Sequence, residues 1–350
     1  MTRDPTFEAS SAVDPAEETT ARAELAEMGR ALGGLRWVQG PGGNCSVKLA
    51  SQLWVKASGT RFAEVADPGG HAKVELALAR SALDGDPVAE KTVFSASPRP
   101  SLETYFHALG GRVVAHTHAL GALLYACSAA PFVARLAPGR VAIPYVRPGR
   151  GVALAIRDVL DASGECVCIM RSHGIVAYAD SAARAIALTA EFDDAERVEA
   201  ERHRKLTPIE PQVEAYLSVA EVAVEGGVFR ALPVRIAREF DPPRYLFPDA
   251  PVCASSVLVE LLSDLLAAAR AALAQVGRAC VLVDSEGRRI AVARSSAQLQ
   301  QTCEVAAGHD WLEDALRARG SANYLAADEP ARILSMPSEQ YRMLLTAQES

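Results

Sequence analysis

The chain has 350 residues, 49% of them apolar and 23% charged, and a formal net charge of −7. That balance predicts a globular protein of one large or two ordinary domains, and its acidity offers no general attraction to nucleic acid or to anionic membrane surfaces. No apolar run is long enough to span a bilayer, and the seven cysteines are scattered without a C-x-x-C pair, so reduced thiols in a cytoplasmic protein are expected.

In chain order, residues 1–15 are polar, acidic and proline-bearing; they read as disordered and lack the apolar core of a signal peptide. Pro15 to Leu35 has helical periodicity, stopped by Gly33-Gly34. Cys45–Ala50 and Leu53–Lys56 are strand-like runs joined by a polar turn. Pro100 or Ser101 reads as a helix start. Arg112–His118 is strand-like, Ala119–Ala130 helical, and Val141–Val146 another short strand. Cys166–Ala179 is an apolar strand pair broken at Ser172-His173-Gly174; Cys166 and Cys168, two apart, share a face and are poorly placed to bond each other. Ser181–Lys205 is a long helix with an apolar stripe, a charged face and Ser181 as N-cap. Short strands alternating with helices predict an α/β domain over residues 16–210.

The character then changes. Residues 211–251, with Pro242-Pro243, read as a connector with short helices, and 252–350 as a small α+β extension. Within the extension, Ser255–Val276 reads as a helix. A hairpin follows, Ala279–Asp284 and Arg288–Ala293 turned at Ser285-Glu286-Gly287, and then helices from Ser296 and after Asp310.

Three groups of residues can carry chemistry. In a strand, positions i and i+2 point to one face, so His116 and His118 can reach one ion at the Zn–N distance of about 2.0–2.1 Å. His173, 55 residues later at the break between two strands, would complete three ligands and leave a coordination position open, as catalytic sites do. The plainer reading is of polar residues in or beside the core. His71, His107, His203 and His309 show no such pairing. Second, Gly40-Pro-Gly-Gly-Asn-Cys-Ser and Lys56-Ala-Ser-Gly-Thr are small-residue loops that could cradle a phosphate or carboxylate, or could simply be turns; neither fits a nucleotide-binding pattern. Third, Glu103 stands near a helix start, where an acidic residue can serve chemistry or merely the helix dipole.

Five segments taken together, Gly42–Lys48, Leu53–Phe62, Arg99–Thr104, His116–His118 and Arg171–Ala177, resemble class II aldolase/adducin domains in order and spacing, over about residues 20–210. The resemblance implies a three-layer α/β/α fold with a central, mainly antiparallel sheet, and a Zn²⁺ ion (or Mn²⁺ or Co²⁺) held by His116, His118 and His173. It assigns Glu103 the role of proton acceptor and donor, in a partly buried site expected to raise its pKa. Gly43, Asn44, Ser58, Gly59 and Ser101 would bind the substrate phosphate, with Lys56 beside them. Well-known aldolases of the family carry a second serine before the glutamate; Leu102 stands there and removes one hydroxyl donor. In this and other motifs the chain is similar to the aldolase half of bifunctional aldolase/short-chain dehydrogenase proteins, although the dehydrogenase signatures do not follow residue 210.

The implied function is that of a metal-dependent lyase, cleaving a ketose or ketose phosphate by retro-aldol reaction through a Zn-stabilised enediolate. The alternatives are a dehydratase or 4-epimerase of the same superfamily, or a non-enzymatic adducin-like binding module. The family's epimerases usually place Asp at Glu103, and adducin-like domains lose the metal histidines. Family aldolases protonate the leaving aldehyde with a tyrosine, for which Tyr125 and Tyr145 are the candidates. The resemblance further implies a small-molecule sugar substrate, no nucleic-acid or membrane partner, and a homo-oligomer, a fourfold tetramer with the site at a subunit interface.

Overall fold

A computed structural model describes residues 13–129, 135–160, 165–203, 205–217, 221–224, 227–231, 244–259, 265–284, 289–320 and 322–341. The polar segment 1–12, the Pro242-Pro243 pair and the expected turn at Ser285-Glu286-Gly287 lie outside the described residues. In chain order the elements are α1 (Pro15–Leu32), β1 (Asn44–Lys48), β2 (Gln52–Lys56), β3 (His71–Glu75), α2 (Leu76–Asp84), α3 (Pro87–Phe94), α4 (Thr104–His107), β4 (Val113–Thr117), α5 (Leu120–Ala126), β5 (Arg135–Ala137), β6 (Arg140–Ile143) and α6 (Arg150–Val159). There follow β7 (Cys166–Met170), β8 (Gly174–Ala179), α7 (Ala182–Glu201), α8 (Glu210–Leu217), β9 (Glu221–Val224), β10 (Gly227–Ala231), α9 (Asp249–Cys253), β11 (Ser256–Val259), α10 (Leu265–Val276), β12 (Cys280–Asp284), β13 (Arg289–Ala293), α11 (Ser296–Ala318) and α12 (Glu329–Leu334).

The expected strands and the long helices form for local reasons. Asp14 caps α1 by accepting from Ala16 N at 2.9 Å, and Pro15 opens the helix where a missing N–H costs nothing. Ser181 caps α7 through Arg184 N. In the first domain five elements have no counterpart in the sequence reading: β3, α2, α3, β5 and α6. None exceeds ten residues, which is shorter than the window over which helical periodicity stands out. The helix expected from Pro100 is reduced to the single turn α4; Ser101 forms the turn before it, its carbonyl accepting from Thr104 N.

Eight strands form one sheet in the order β3-β2-β1-β4-β8-β7-β6-β5, antiparallel throughout except where β6 runs parallel to β7. Both faces are buried. One packs Leu53, Val114, Cys168 and Tyr178 against α2, α4 and α6. The other packs Val47, Trp54, Ala115 and Ile175 against α1, α5 and α7. The result is the expected three-layer α/β/α arrangement. None of the seven cysteines is in a disulfide, and all but Cys253 are buried. Among the described residues, no helix is long and apolar enough to cross a membrane.

The C-terminal half is more tightly built in than its sequence suggests. A five-stranded sheet runs β11-β12-β13-β10-β9, and its strands β9 and β10 come from the stretch read as a connector. The helix expected over Ser255–Val276 is two elements, because Ser256–Val259 pairs in parallel with β12 before α10 begins. A short apolar run such as Val257-Leu258-Val259 fits either state by periodicity alone. The two helices expected from Ser296 and Asp310 are one, α11. That helix shares a core with the first domain: Leu120, Leu123 and Leu124 of α5 pack with Leu246, Phe247, Trp311, Leu312 and Leu316.

Candidate active site

Strand pairing assembles the site. In β1–β4 register Asn44 lies opposite His116, and in β4–β8 register His116 lies opposite Val176. The β7–β8 turn, with Ser172 in the left-handed region at φ 50°, then brings His173 to the same end of the sheet. The ring nitrogens of His116, His118 and His173 that face one another all lie within 4.8 Å, and all three residues are buried.

The tautomers favour metal binding. His116 Nδ1 donates to the Ile175 carbonyl at 2.9 Å, which leaves its Nε2 lone pair free. That Nε2 faces His118 Nε2 at 3.1 Å. Two nitrogens bound tetrahedrally to one Zn²⁺ would lie about 3.3 Å apart. Burial pushes the His116 imidazole down to about 3, so it is neutral and available as a ligand. His173 Nδ1 is buried without a hydrogen-bond partner. Three imidazoles beside a carboxylate are a borderline-soft N/O donor set suited to Zn²⁺, and the residues present fit such an ion.

Glu103 closes the cluster. Its Oε1 lies 3.0 Å from His173 Nε2 and its Oε2 3.4 Å from His116 Nε2. Asn44 Nδ2 donates to Glu103 Oε2 at 2.7 Å and to Ser101 Oγ at 3.1 Å. The expectation of a raised Glu103 pKa is overturned. Burial pushes it up while His116, His173 and His118 act the other way, and the net direction is down; the Asn44 N–H on Oε2 also favours the ionised form, whether or not His116 carries a proton. The group is an ionised acceptor at neutral pH.

The cleft above is lined by Gly43, Asn44, Lys56, Ser58, Gly59, Ser101, Leu102, Glu103, His118 and His173, with His116 buried at its base. The structure thus brings the expected metal ligands, the acid and the substrate-loop residues to one place. Gly43 adopts φ +63°, and a Cβ there would stand 2.6 Å from Val38 Cγ1 and 2.8 Å from the His116 carbonyl oxygen. Only glycine lets the loop lie against β4. Lys56 is buried and donates to the carbonyls of Pro41 (3.3 Å) and Thr60, bridging the two glycine loops. Leu102 packs toward Gly149 and the apolar core. Neither candidate tyrosine is among the lining residues: Tyr145 donates to Glu329 Oε1 at 2.9 Å, and Tyr125 packs on Phe192.

Some participants escape a sequence reading. His107, which lacks an H-x-H partner, is fully buried, with Nε2 against Asn44 Oδ1 and Nδ1 2.8 Å from Ser46 Oγ. Burial holds it neutral, so it donates to Asn44 and thereby turns the Asn44 amide N–H toward Glu103. Pro248, Asp249, Val252, Ile333, Ser338 and Glu339 line the cleft from beyond residue 240. Glu304 of α11 accepts from Gly40 N at 2.9 Å and from both arms of Arg61, bracing the first glycine loop. No local pattern marks these residues; only their fold partners do.

A layered α/β fold carrying clustered imidazoles and an ionised carboxylate in a cleft defines an enzyme-type site. The family model for the Class II Aldolase and Adducin N-terminal domain matches residues 23–200, just over half of the chain. The chain belongs to this family of aldolase-like proteins. Solved structures similar to it include the N-terminal class II aldolase domain of a conserved protein from Thermoplasma acidophilum, at 21% identity and a TM-score of 0.45, covering 56% of this chain and 99% of that one. Others are an L-fuculose-1-phosphate aldolase from Thermus thermophilus (17%, 0.39, 53% and 96%) and an aldolase II superfamily protein from Pseudomonas syringae (19%, 0.41, 55% and 78%). No curated protein matches.

Proposed function

We propose that the chain is a metal-dependent lyase that opens the C–C bond of a small ketose or ketose phosphate by retro-aldol cleavage. The observation that carries this reading is the Glu103 carboxylate, held by Asn44 with its two oxygens facing His173 and His116. His116, His118 and His173 would hold the divalent ion, Zn²⁺ by donor chemistry with Mn²⁺ or Co²⁺ as substitutes. When bound, the ion supplies Lewis-acid stabilisation of the negative charge that builds on the substrate's oxygens. Glu103 Oε2 accepts the substrate hydroxyl proton and later returns it to carbon; Asn44, oriented by His107, keeps that oxygen in place between the two transfers. Gly43, Ser58, Gly59 and Ser101 orient the far end of the substrate, with Lys56 setting the spacing of their loops. Leu102 offers no hydroxyl, and Glu339 lines the same cleft; both favour an unphosphorylated ketose over a phosphate dianion. Family membership also supports a homo-oligomer, a tetramer by preference, and the acidic, span-free chain a cytoplasmic location.

A second reading, dehydration of a sugar acid or related polyol, is favoured by one observation: no tyrosine lies among the described cleft-lining residues to exchange a proton with the oxygen that becomes the aldehyde carbonyl. The test is turnover of a panel of ketoses and ketose 1-phosphates, with Zn²⁺, Mn²⁺ or Co²⁺ added, scored for aldehyde release and separately for loss of water. Glu103→Gln should lower the rate by about 10²–10⁴-fold; unchanged turnover in that variant would sink the assignment.

A further inference from the structure

His118 Nδ1, the ring nitrogen facing away from His116, lies 3.1 Å from Asp249 Oδ2. Both side chains are more than nine-tenths buried. Asp249 opens α9, outside the 23–200 span that matches the family. The geometry points to Asp249 as a positioning residue of the metal centre: its carboxylate stands where it can accept the His118 Nδ1–H and fix the tautomer that presents Nε2, which makes the C-terminal region part of the site. This inference rests on the metal-centre reading above.

Two independent features support it. First, the space between the two groups is kept open by the absence of a side chain. A Cβ on Gly42 would stand 2.8 Å from both Asp249 Oδ2 and His118 Nδ1. Gly42, unlike its neighbour Gly43, has no positive φ to require glycine, so the close approach of ring and carboxylate is what excludes a side chain.

Second, the backbone that carries Asp249 is firmly held. Leu246 N donates to His309 Nε2 of α11 at 3.3 Å, Cys127 Sγ of the first domain lies 3.3 Å from the Leu246 carbonyl, and Leu325 N donates to the Tyr245 carbonyl at 2.8 Å. Leu246, Phe247 and Ala250 are almost fully buried. A carboxylate on a base this rigid can orient an imidazole with little entropy cost, and it also raises the ring's basicity toward a cation. The consequence is a division of labour. The three ligands belong to the aldolase-like domain, and the orientation of one of them belongs to the extension.

The test is Zn²⁺ affinity of the full-length protein, measured by competition with a chromophoric chelator, for wild type, Asp249→Asn, Asp249→Ala and His118→Ala. We expect one ion per wild-type chain, loss of tight binding in His118→Ala, and an affinity lower by about 10–100-fold in Asp249→Ala, with a smaller loss in Asp249→Asn. Asp249→Ala within twofold of wild type overturns the role of Asp249 and leaves the metal centre standing. Wild type and His118→Ala alike in binding no Zn²⁺ overturns both. Imidazole ¹⁵N NMR of the Zn²⁺-loaded wild type gives a second readout, whose tautomer assignment needs no variant to fold. His118 should carry its proton on Nδ1, in a strong hydrogen bond whose signal shifts in Asp249→Asn while that of His116 stays. A proton found on His118 Nε2 overturns the proposal.

Discussion

Arg147 and Glu329, 182 residues apart, meet in a two-pronged ion pair, with Nε to Oε1 and Nη2 to Oε2 both at 2.8 Å. The Tyr145 hydroxyl donates to the same carboxylate. This contact fastens α12, and with it the cleft-lining Ile333, Ser338 and Glu339, to the loop between β6 and α6. Arg99 over the Tyr341 ring, 4.4 Å from its centroid, makes a second fastening.

Removing the first fastening should have a pH-dependent cost. The Arg147 hydrogen bond holds the Glu329 carboxyl below its ordinary 4.5. A depressed folded value stabilises the fold fully above the unfolded pKa and loses that contribution as pH falls through the folded one. Glu329→Gln should therefore cost about 1 kcal/mol at neutral pH, the Arg being partly exposed. The difference from wild type should shrink towards zero as pH drops below 4.5. Urea melts at several pH values would check this; a constant difference would contradict it.

Asn44→Ala removes the donor that positions Glu103 and leaves His107 without its acceptor. It should lower turnover by about 5- to 150-fold, the equivalent of one buried hydrogen bond of about 1–3 kcal/mol, while Zn²⁺ content stays near wild type because no ligand is lost. Turnover and metal analysis on the same preparation separate the two. Loss of metal together with activity would place Asn44 in the metal site itself.

Gly43→Ala puts a Cβ into Val38 and the His116 carbonyl in a left-handed backbone. Strain of about 1–2 kcal/mol from the conformation alone, with the clash added, should lower the unfolding midpoint measurably. The equivalent change at Gly69, which also has positive φ but open space around it, should cost only the conformational part. Chemical denaturation of the pair isolates the effect of the close approach.

Leu102→Ser restores a hydroxyl to the anion end of the cleft. It should lower KM for ketose phosphates several-fold, the worth of a hydrogen bond to a charged group at about 1.5–3 kcal/mol being partly offset by lost packing. KM for the unphosphorylated ketose should change little. Equal shifts for both substrates would show that Leu102 acts through packing rather than phosphate selection.

The sequence by itself determined the parts whose information is local. Short strand-like runs made β1, β2, β4, β7 and β8 legible, helical periodicity ended by Gly33-Gly34 marked α1, the Ser181 cap marked α7, and the i, i+2 spacing of His116 and His118 on a strand already implied a shared face. Five short motifs in order were enough to name the family and to collect Glu103, His173 and the glycine loops before any contact was known. Tertiary structure alone decided the rest, because those contacts join residues with no spacing rule between them. His107 reaches Asn44 across α4 and β1, Asp249 reaches His118 from 131 positions away, and Glu304 braces Gly40 from 264. It also decided the surroundings of Glu103: the motif places a carboxyl near a helix start, but only packing shows that three imidazoles surround it. Short elements such as α2 and α6, and the strand β11 inside an expected helix, likewise take their state from the sheet and core they join rather than from their own few residues.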